Sequence, residues 1–432
     1  MQAIVVGGGV AGLHTGIKLA KKGIICCIID EYTCGGRVQT YRNGDLKWEN
    51  GAGRISSKHK HTLSYIKKYG LTLIPLPDKI DYLSTKLEPN PFFDLQSYLE
   101  PLRSLPPDTL ATHTLHDIMD KVIPNAREFY TAFPYYAEMS VMRADLALQS
   151  FAKEMGSHHG FYVCKEGLSA MIDGMKQEFQ ELGGTILENT HVESVESVNH
   201  LIYVHCTSNG QQIFIRAPMC ILAVQRDALV NLLNIPVVRS VTSKLKMVPL
   251  LRIYAVFAES HSDSPNSLVG KTPTKISDKT PATNWKPWFA DLKSTVVDSP
   301  IRYIIPINDR TIMISYTEGP YATHWMSMKL DKREHEVMKE IRRLFPDRTI
   351  PDPVFFKCHY WKMGCTYWLP SKPSNIYSVE EESYKIMNPK QNIYVTGESF
   401  AVHQCWTESA LTHAEQLETH PEFVKSVKAL KA

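Results

Sequence analysis

The chain lacks any apolar run near the roughly 20 residues that a membrane-spanning helix needs, so no membrane partner is expected. Long blocks of one charge are missing as well: 48 Lys and Arg stand against 45 Asp and Glu, a formal net charge of +3. That balance excludes the electrostatic footprint of a nucleic-acid binder. The short basic stretch "SSKHKH" reads as a solvated helix start. The nine cysteines, at 26, 27, 34, 164, 206, 220, 358, 365 and 405, lack the paired spacing of a zinc site or a disulfide scaffold. Several lie in apolar runs such as "IICCIID", where a thiol acts as a small hydrophobe. A reducing compartment is the simpler expectation. The first strand opens at residue 2, so no leader is expected before it, and "KALKA" is neither a lipidation signal nor a peroxisomal address. A cytoplasmic location follows from these absences. Internal repeats and low-complexity segments are also missing. What is present, 432 residues at 43% hydrophobic and 22% charged, suffices for two or three cored domains.

The first thirty residues read as strand, glycine turn, helix and second strand ("QAIVVGGGVAGLHTGIKLAKKG", then "IICCIID"), a βαβ unit that predicts an α/β class. From about 60 to 155 the pattern is helical and broken by prolines. "LSAMIDGMKQEFQELGG" predicts an amphipathic helix stopped by glycines. Short strands follow ("GTILE", "HVESVESV", "LIYVHC", "QIFIRA", "MCILAV"), then a second sheet between about 245 and 320. "DKREHEVMKEIRRLF" reads as an exposed helix. "QNIYVTGES" adds a last buried strand, with a helix opening near Trp406. A nucleotide domain interrupted by a second domain, and completed by the C-terminus, accounts for this order.

Gly7, Gly9 and Gly12 form G-x-G-x-x-G between strand and helix. Gly7 permits the tight turn, Gly9 lets backbone approach a pyrophosphate, and Gly12 lets the helix pack against the sheet. Asp30 ends the next strand 23 residues after Gly7, the place of a ribose-binding acid. An acid there disfavours a 2′-phosphate. The second element, "CGGRVQT", can bring the amides of Gly35 and Gly36 and the guanidinium of Arg37 onto the same pyrophosphate, with Thr40 closing the motif.

With that second element the chain resembles the flavin-dependent amine oxidase family, which pairs the glycine fingerprint with G-G-R-x-x-T. "NIYVTGESFAVHQCWTESAL" resembles the family's last cofactor element, although Ser409 and Ala414 stand where the family has glycines. The resemblance implies FAD, held by Gly7, Gly9, Val10, Ala11, Gly12, Asp30, Glu31, Gly35, Gly36 and Arg37. It adds Gly51, Ala52, Gly53, Arg54, Val192, Gly397, Glu398, Trp406 and Thr407. The fold implied is mixed α/β: a Rossmann-like FAD domain (1–60, 160–240 and 385–432) with an interleaved substrate domain (61–159 and 241–384) of sheet plus helices, helical around 85–155.

Flavin carries the redox chemistry, so the open question is what the protein orients against it. "WENGAGRISSKHKHTLSYIKKYGLTL" is similar to the L-amino-acid oxidase branch, with Glu49, Gly51 and Arg54 on its E-L-G-x-x-R pattern and Asn50 in place of leucine. The likeness implies that Arg54 binds the substrate carboxylate, as a buried carboxylate needs a bidentate cation; a role toward cofactor or protein acids is the alternative. By the same likeness His158, beside His159, accepts the substrate ammonium proton, or else the pair is a polar loop. Trp406 takes the aromatic position beside the flavin, with core packing as its alternative. Tyr303 and Trp368 are further substrate-binding candidates, and Trp361 and Tyr367 could line the pocket. No role is inherited for His403. Arg252 stands where the family places a catalytic lysine near the flavin, keeping the charge but not the compact donor. Cys365 resembles the cysteine that anchors flavin in monoamine oxidases, but the upstream tryptophan spacing differs, so noncovalent FAD is expected.

The reading is an oxidase that takes a hydride from the α-carbon of an L-amino acid, giving imine then keto acid, ammonia and hydrogen peroxide. The partners expected are that substrate, or an amine, and molecular oxygen. No metal is expected, and a homodimer is compatible with the reading. Monoamine or polyamine oxidation is the alternative within enzymes. A flavin-binding structural or interaction protein with weak catalysis is the alternative outside them, motivated by Arg252.

Overall fold

The structure, a computed structural model, describes residues 1–88, 90–134, 136–154, 160–258 and 286–431. It divides into two compact units, one of Met1–Leu76, Gly160–Met247 and Thr366–Ala432, the other of Pro77–His159 and Val248–Cys365.

In the first unit Ala3–Val6 and Cys26–Ile29 pair in parallel, joined by the helix Val10–Lys21. Both strands are buried along their whole length, as continuous apolar runs require when each face of a sheet is covered. They are the middle of a five-stranded sheet in the order Ile393–Val395, Met219–Leu222, Ala3–Val6, Cys26–Ile29, Thr185–Leu187. Every pairing in it is parallel. Strands from three remote parts of the sequence thus complete one Rossmann-like sheet. Ile17, Ile172, Phe179 and Leu411, from three helices, share its core with Val5, Ile28 and Ile221. The expected boundaries at 60 and 385 differ from those of the compact units, which fall at 76 and 366. The physical reason at the first is that Tyr65 and Ile66, on the helix Lys60–Lys68, pack into the first unit's core.

A smaller sheet of the same unit positions the site. Phe161–Cys164 pairs with both Ile55–Ser56 and Leu73–Pro75, bringing Ser56 opposite Phe161.

The second unit carries a six-stranded sheet in the order Phe355–Trp368, Leu245–Val256, Thr311–Glu318, Tyr303–Pro306, Thr295–Val297, Asp81–Leu83. Short helices occupy Leu95–Arg103 through Ala144–Glu154. Two expectations need correction here. The helix Leu330–Leu344 is not exposed all round: Val337, Met338, Ile341 and Leu344 form an apolar stripe buried in the unit's core. The strand Phe355–Trp368 was not expected, because its mixed burial gives no clean alternation to read.

Among the described residues no helix is long and apolar enough to cross a membrane. The cysteines are free thiols.

A buried charge cluster lies inside the second unit. Arg302, 5% exposed, stacks over the rings of Tyr136 at 4.2 Å and Tyr316 at 5.1 Å. Its Nη2 is 3.9 Å from Glu318 Oε1, which also accepts the Ala137 N–H at 3.0 Å. Burial, and then the neighbouring Glu318 carboxylate, push the Glu138 carboxyl well above the usual range. A carboxyl whose folded pKa is raised contributes stability that is complete at acid pH and lost as pH climbs from the ordinary carboxylate range through the raised value. Glu138→Gln therefore flattens the decline of melting temperature between pH 5 and 8. Calorimetry at the two pH values checks this; parallel declines in both proteins would refute it.

Candidate functional site

Gly7 adopts φ +100°, and a Cβ on it would lie 2.4 Å from the Ala223 carbonyl oxygen. A Cβ on Gly12 would lie 1.9 Å from the oxygen of Gly7, so the helix packs this close only as glycine. Gly9 is different: a Cβ there meets nothing within 4 Å, so the backbone faces open space. The helix opens at Val10 and Ala11, both buried, and no side chain caps it. Its first N–H groups are left toward that space. Asp30 accepts the Gly8 N–H at 2.6 Å on Oδ2 and the Tyr32 N–H at 2.9 Å on Oδ1. Burial nonetheless raises its pKa.

The G-G-R element lies against this turn. Gly35 donates its N–H to the Gly8 oxygen at 2.9 Å, and Gly9 and Gly35 form a parallel bridge. Arg37 accepts the Ala52 N–H at 2.9 Å on its carbonyl, and its Nη2 is 2.7 Å from Glu398 Oε2. Thr40 is a brace: its hydroxyl donates to Glu49 Oε2 at 2.9 Å and accepts the Ser169 N–H at 3.0 Å. Glu49 Oε1 accepts the Leu168 N–H at 2.8 Å, so both polar residues are spent on the start of the helix Ser169–Glu181. Gly51 and Gly53 are buried between these contacts and Arg54.

The C-terminal element completes the arrangement. Glu398, 6% exposed, accepts the Cys405 N–H on Oε1 at 2.6 Å while its other oxygen faces Arg37. The helix Thr407–Thr419 starts with no side-chain cap at Trp406. The Thr407 hydroxyl is buried and has no hydrogen-bond partner among the described residues.

Arg54 lies beside a stacked aromatic pair, Phe161 and Trp406, whose ring centres are 5.9 Å apart. Its guanidinium lies 5.7 Å from the Phe161 ring centre and 5.4 Å from that of Trp406. Across the Ile55–Ser56 pairing Phe161 is the diagonal neighbour of Arg54, which places the first ring of the pair. Neither a hydrogen bond nor an ion pair joins Arg54 to any described residue. Sequence reasoning missed two members of this group, Phe161 and His59. The His59 ring stands edge-on to Trp406 at 4.9 Å, and its Nδ1 accepts the Ser56 N–H at 3.1 Å. Burial, with Arg54 adding to it, pushes the imidazole down to about 4. "SSKHKH" carries no signal of this, because the contact depends on where residue 406 arrives. Glu408 holds the neighbouring helix start, accepting the N–H groups of His61 and Thr62 at 3.0 and 2.9 Å.

The remaining expectations fall in several places. Trp368 corrects the substrate-binding assignment: it is 0% exposed, and its indole N–H donates to the Ala401 oxygen at 2.9 Å. No surface of it is left for a ligand. Tyr367, 1% exposed, is excluded from lining a pocket for the same reason, whereas Trp361 is half-buried. Tyr303, in the second unit, is buried and stacks on Tyr316 at 6.4 Å. Arg252, in the same unit, lies over the Tyr316 ring at 5.0 Å. Cys365 is buried and His403 exposed. Val192 is half-buried at a bulge, two residues beyond Thr190, whose N–H donates to the Asp30 oxygen at 2.9 Å. Glu31 is exposed and pairs with His191 at 3.2 Å. His158 and His159 lie outside the described residues.

A dinucleotide fits this constellation. Open space over Gly9, two uncapped helix starts and an unpartnered buried hydroxyl at Thr407 are what an anionic, hydroxyl-bearing group would use.

Comparison with known proteins agrees. The fold matches a putrescine oxidase bound to putrescine with a TM-score of 0.71 at 14% identity, over 100% of this chain and 99% of that one. It matches cyclohexylamine oxidase from Brevibacterium oxydans IH-35A with a TM-score of 0.72 at 12% identity, over 100% and 99%. In sequence, uncharacterized protein R188 of Acanthamoeba polyphaga mimivirus is 21% identical across 96% of this chain and 93% of its own. L-amino acid oxidase Lm29 of Lachesis muta is 37% identical over 75 residues, 17% of this chain and 14% of that protein. Residues 10–128 and 85–416 match the flavin containing amine oxidoreductases, and the chain belongs to that family.

Proposed function

We propose that the chain is an FAD-dependent oxidase of L-amino acids, releasing imine, then keto acid and ammonia, with oxygen reduced to hydrogen peroxide. The observation that carries the substrate class is Arg54, a guanidinium beside the stacked Phe161 and Trp406 rings with no acid partner among the described residues. The rings offer no carboxylate, so the N–H fork is left for that of a substrate, which a guanidinium binds bidentately.

Gly7, Gly9, Val10, Ala11 and Gly12 would hold the cofactor pyrophosphate, with Gly35, Gly36 and Arg37 beside it and Asp30 on the ribose. Glu31 and Val192 would extend that site outward. Gly51, Ala52 and Gly53 would carry the chain past the cofactor to Arg54. Gly397, Glu398, Trp406 and Thr407 would serve its other end. Bound there, flavin supplies the acceptor for the α-carbon hydride and passes the electrons to oxygen.

Arg54 anchors the carboxylate and Trp406 excludes water from the face beside it. The amino group must lose a proton before hydride leaves, the task expected of His158. His59 does not perform it: with Nδ1 accepting from Ser56, the imidazole proton is on Nε2, making it a donor. Arg252 keeps a cation at the position of the family lysine, and Tyr303 remains a weaker candidate for the carboxylate.

Peroxide release tests the reading, measured with L-amino acids, their D-enantiomers and the corresponding decarboxylated amines. L-amino acids should exceed the amines in kcat/KM by at least tenfold. Preference for amines, the reaction named for the putrescine and cyclohexylamine oxidases of the same fold, would move the assignment to amine oxidation. FAD bound with no turnover would favour the non-catalytic reading. Acid precipitation of the same sample should leave the yellow colour in solution, with Cys365 uninvolved.

A further inference from the structure

His413 is fully buried on the helix Thr407–Thr419, and nothing in the proposed chemistry uses it. Its Nδ1 lies 3.3 Å from the Gly397 nitrogen and 3.3 Å from the Thr396 hydroxyl. Its Nε2 lies 3.4 Å from the Ser383 carbonyl oxygen. A backbone N–H can only donate and a carbonyl can only accept. The ring is therefore the neutral tautomer with its proton on Nε2. Burial agrees, holding the imidazole down to about 4. Phe400 is the aromatic ring beside it, at 6.5 Å.

The residue it grips matters. Gly397 has φ +135°, a conformation that side chains rarely adopt, and it separates the sheet strand Ile393–Val395 from Glu398. Glu398 in turn holds Arg37 through one oxygen and the Cys405 N–H through the other. The next residue after Cys405 is Trp406. One imidazole nitrogen thus fixes the turn from which the Arg37 guanidinium and the approach to Trp406 are both set.

We infer that His413 is a positioning residue for the cofactor site, acting as a fixed hydrogen-bond acceptor that holds the Gly397 turn and, through Glu398, orients Arg37 and the Cys405–Trp406 segment. The inference rests on the flavin reading above. It needs the acceptor at the Nδ1 position and not merely the volume of the ring.

Two substitutions separate those requirements. His413→Asn keeps a carbonyl oxygen near the Nδ1 position; His413→Gln moves its amide toward the Nε2 position and leaves Gly397 without an acceptor. FAD release from each diluted holoenzyme is followed by the rise of flavin fluorescence, and the visible absorption band of the bound flavin is recorded beside it. The Gln variant should release FAD about tenfold faster than wild type, and the Asn variant within about threefold of it, as loss of a buried N–H partner predicts. Thr396→Val removes the other Nδ1 contact and leaves that of Gly397, so its release of FAD should stay within about threefold of wild type. Equal release by the Asn and Gln variants, or wild-type behaviour in both, overturns the role. Failure of the wild-type chain to bind FAD overturns the flavin reading instead, and this role with it. If the Gln variant does not fold, an Asn variant that folds but releases FAD more than about threefold faster than wild type overturns the role.

Discussion

Arg54→Gln lowers kcat/KM for L-amino acids by about a hundredfold and leaves that for the decarboxylated amines within about threefold. The size follows from removing one partner of a desolvated charge pair, which costs about 2–5 kcal/mol, at 1.4 kcal/mol for each tenfold. The loss should appear mainly in KM, because the carboxylate is bound equally in the ground and transition states. Stability should change little. Arg54 has no acid partner among the described residues to strand, and its two ring contacts, at 5.7 and 5.4 Å, are worth about 0.5–1 kcal/mol each. Steady-state kinetics on paired substrates is the measurement. An equal loss on amino acids and amines would remove the carboxylate role and leave Arg54 as a support for the cofactor or for Trp406.

The second large effect divides two neighbouring glycines. Gly12→Ala forces a Cβ to within 1.9 Å of the Gly7 oxygen, a backbone atom that cannot swing aside. The helix must leave the turn, so both the apparent melting temperature and flavin content fall, the first by about 5 °C or more. Gly9→Ala places its methyl where nothing lies within 4 Å, so the protein alone does not resist it. If a pyrophosphate takes that space, Gly9→Ala weakens FAD binding by about tenfold to a hundredfold with an unchanged melting temperature of the flavin-free protein. Normal FAD affinity in Gly9→Ala would mean that the cofactor lies elsewhere.

Much of this architecture was legible because its determinants are local. A glycine turn between a buried strand and a helix needs only contiguous residues, and Asp30 follows at the length of one helix and one strand. Thr40 and Glu49 were legible as motif letters only; that both brace the start of the helix Ser169–Glu181 needed the fold. Trp368 shows the opposite limit. In sequence it is one of several aromatics near a motif, and only burial shows that its indole faces a carbonyl in the core. The helix Leu330–Leu344 misled through its charged letters, although its apolar stripe recurs at helical spacing.

The amino-acid order, then, was enough for the parallel βαβ start, the dinucleotide turn and the flavin amine oxidoreductase family, since steric and hydrogen-bonding demands within some thirty residues dictate those. It could not stack Phe161 on Trp406 beside Arg54, turn His59 edge-on to Trp406, or hang the Gly397 turn on His413. Those contacts join residues from 16 to more than 300 positions apart, through strand register and helix packing. Such geometry exists only once the whole core has closed, because the burial that holds it is shared among all the elements that form it.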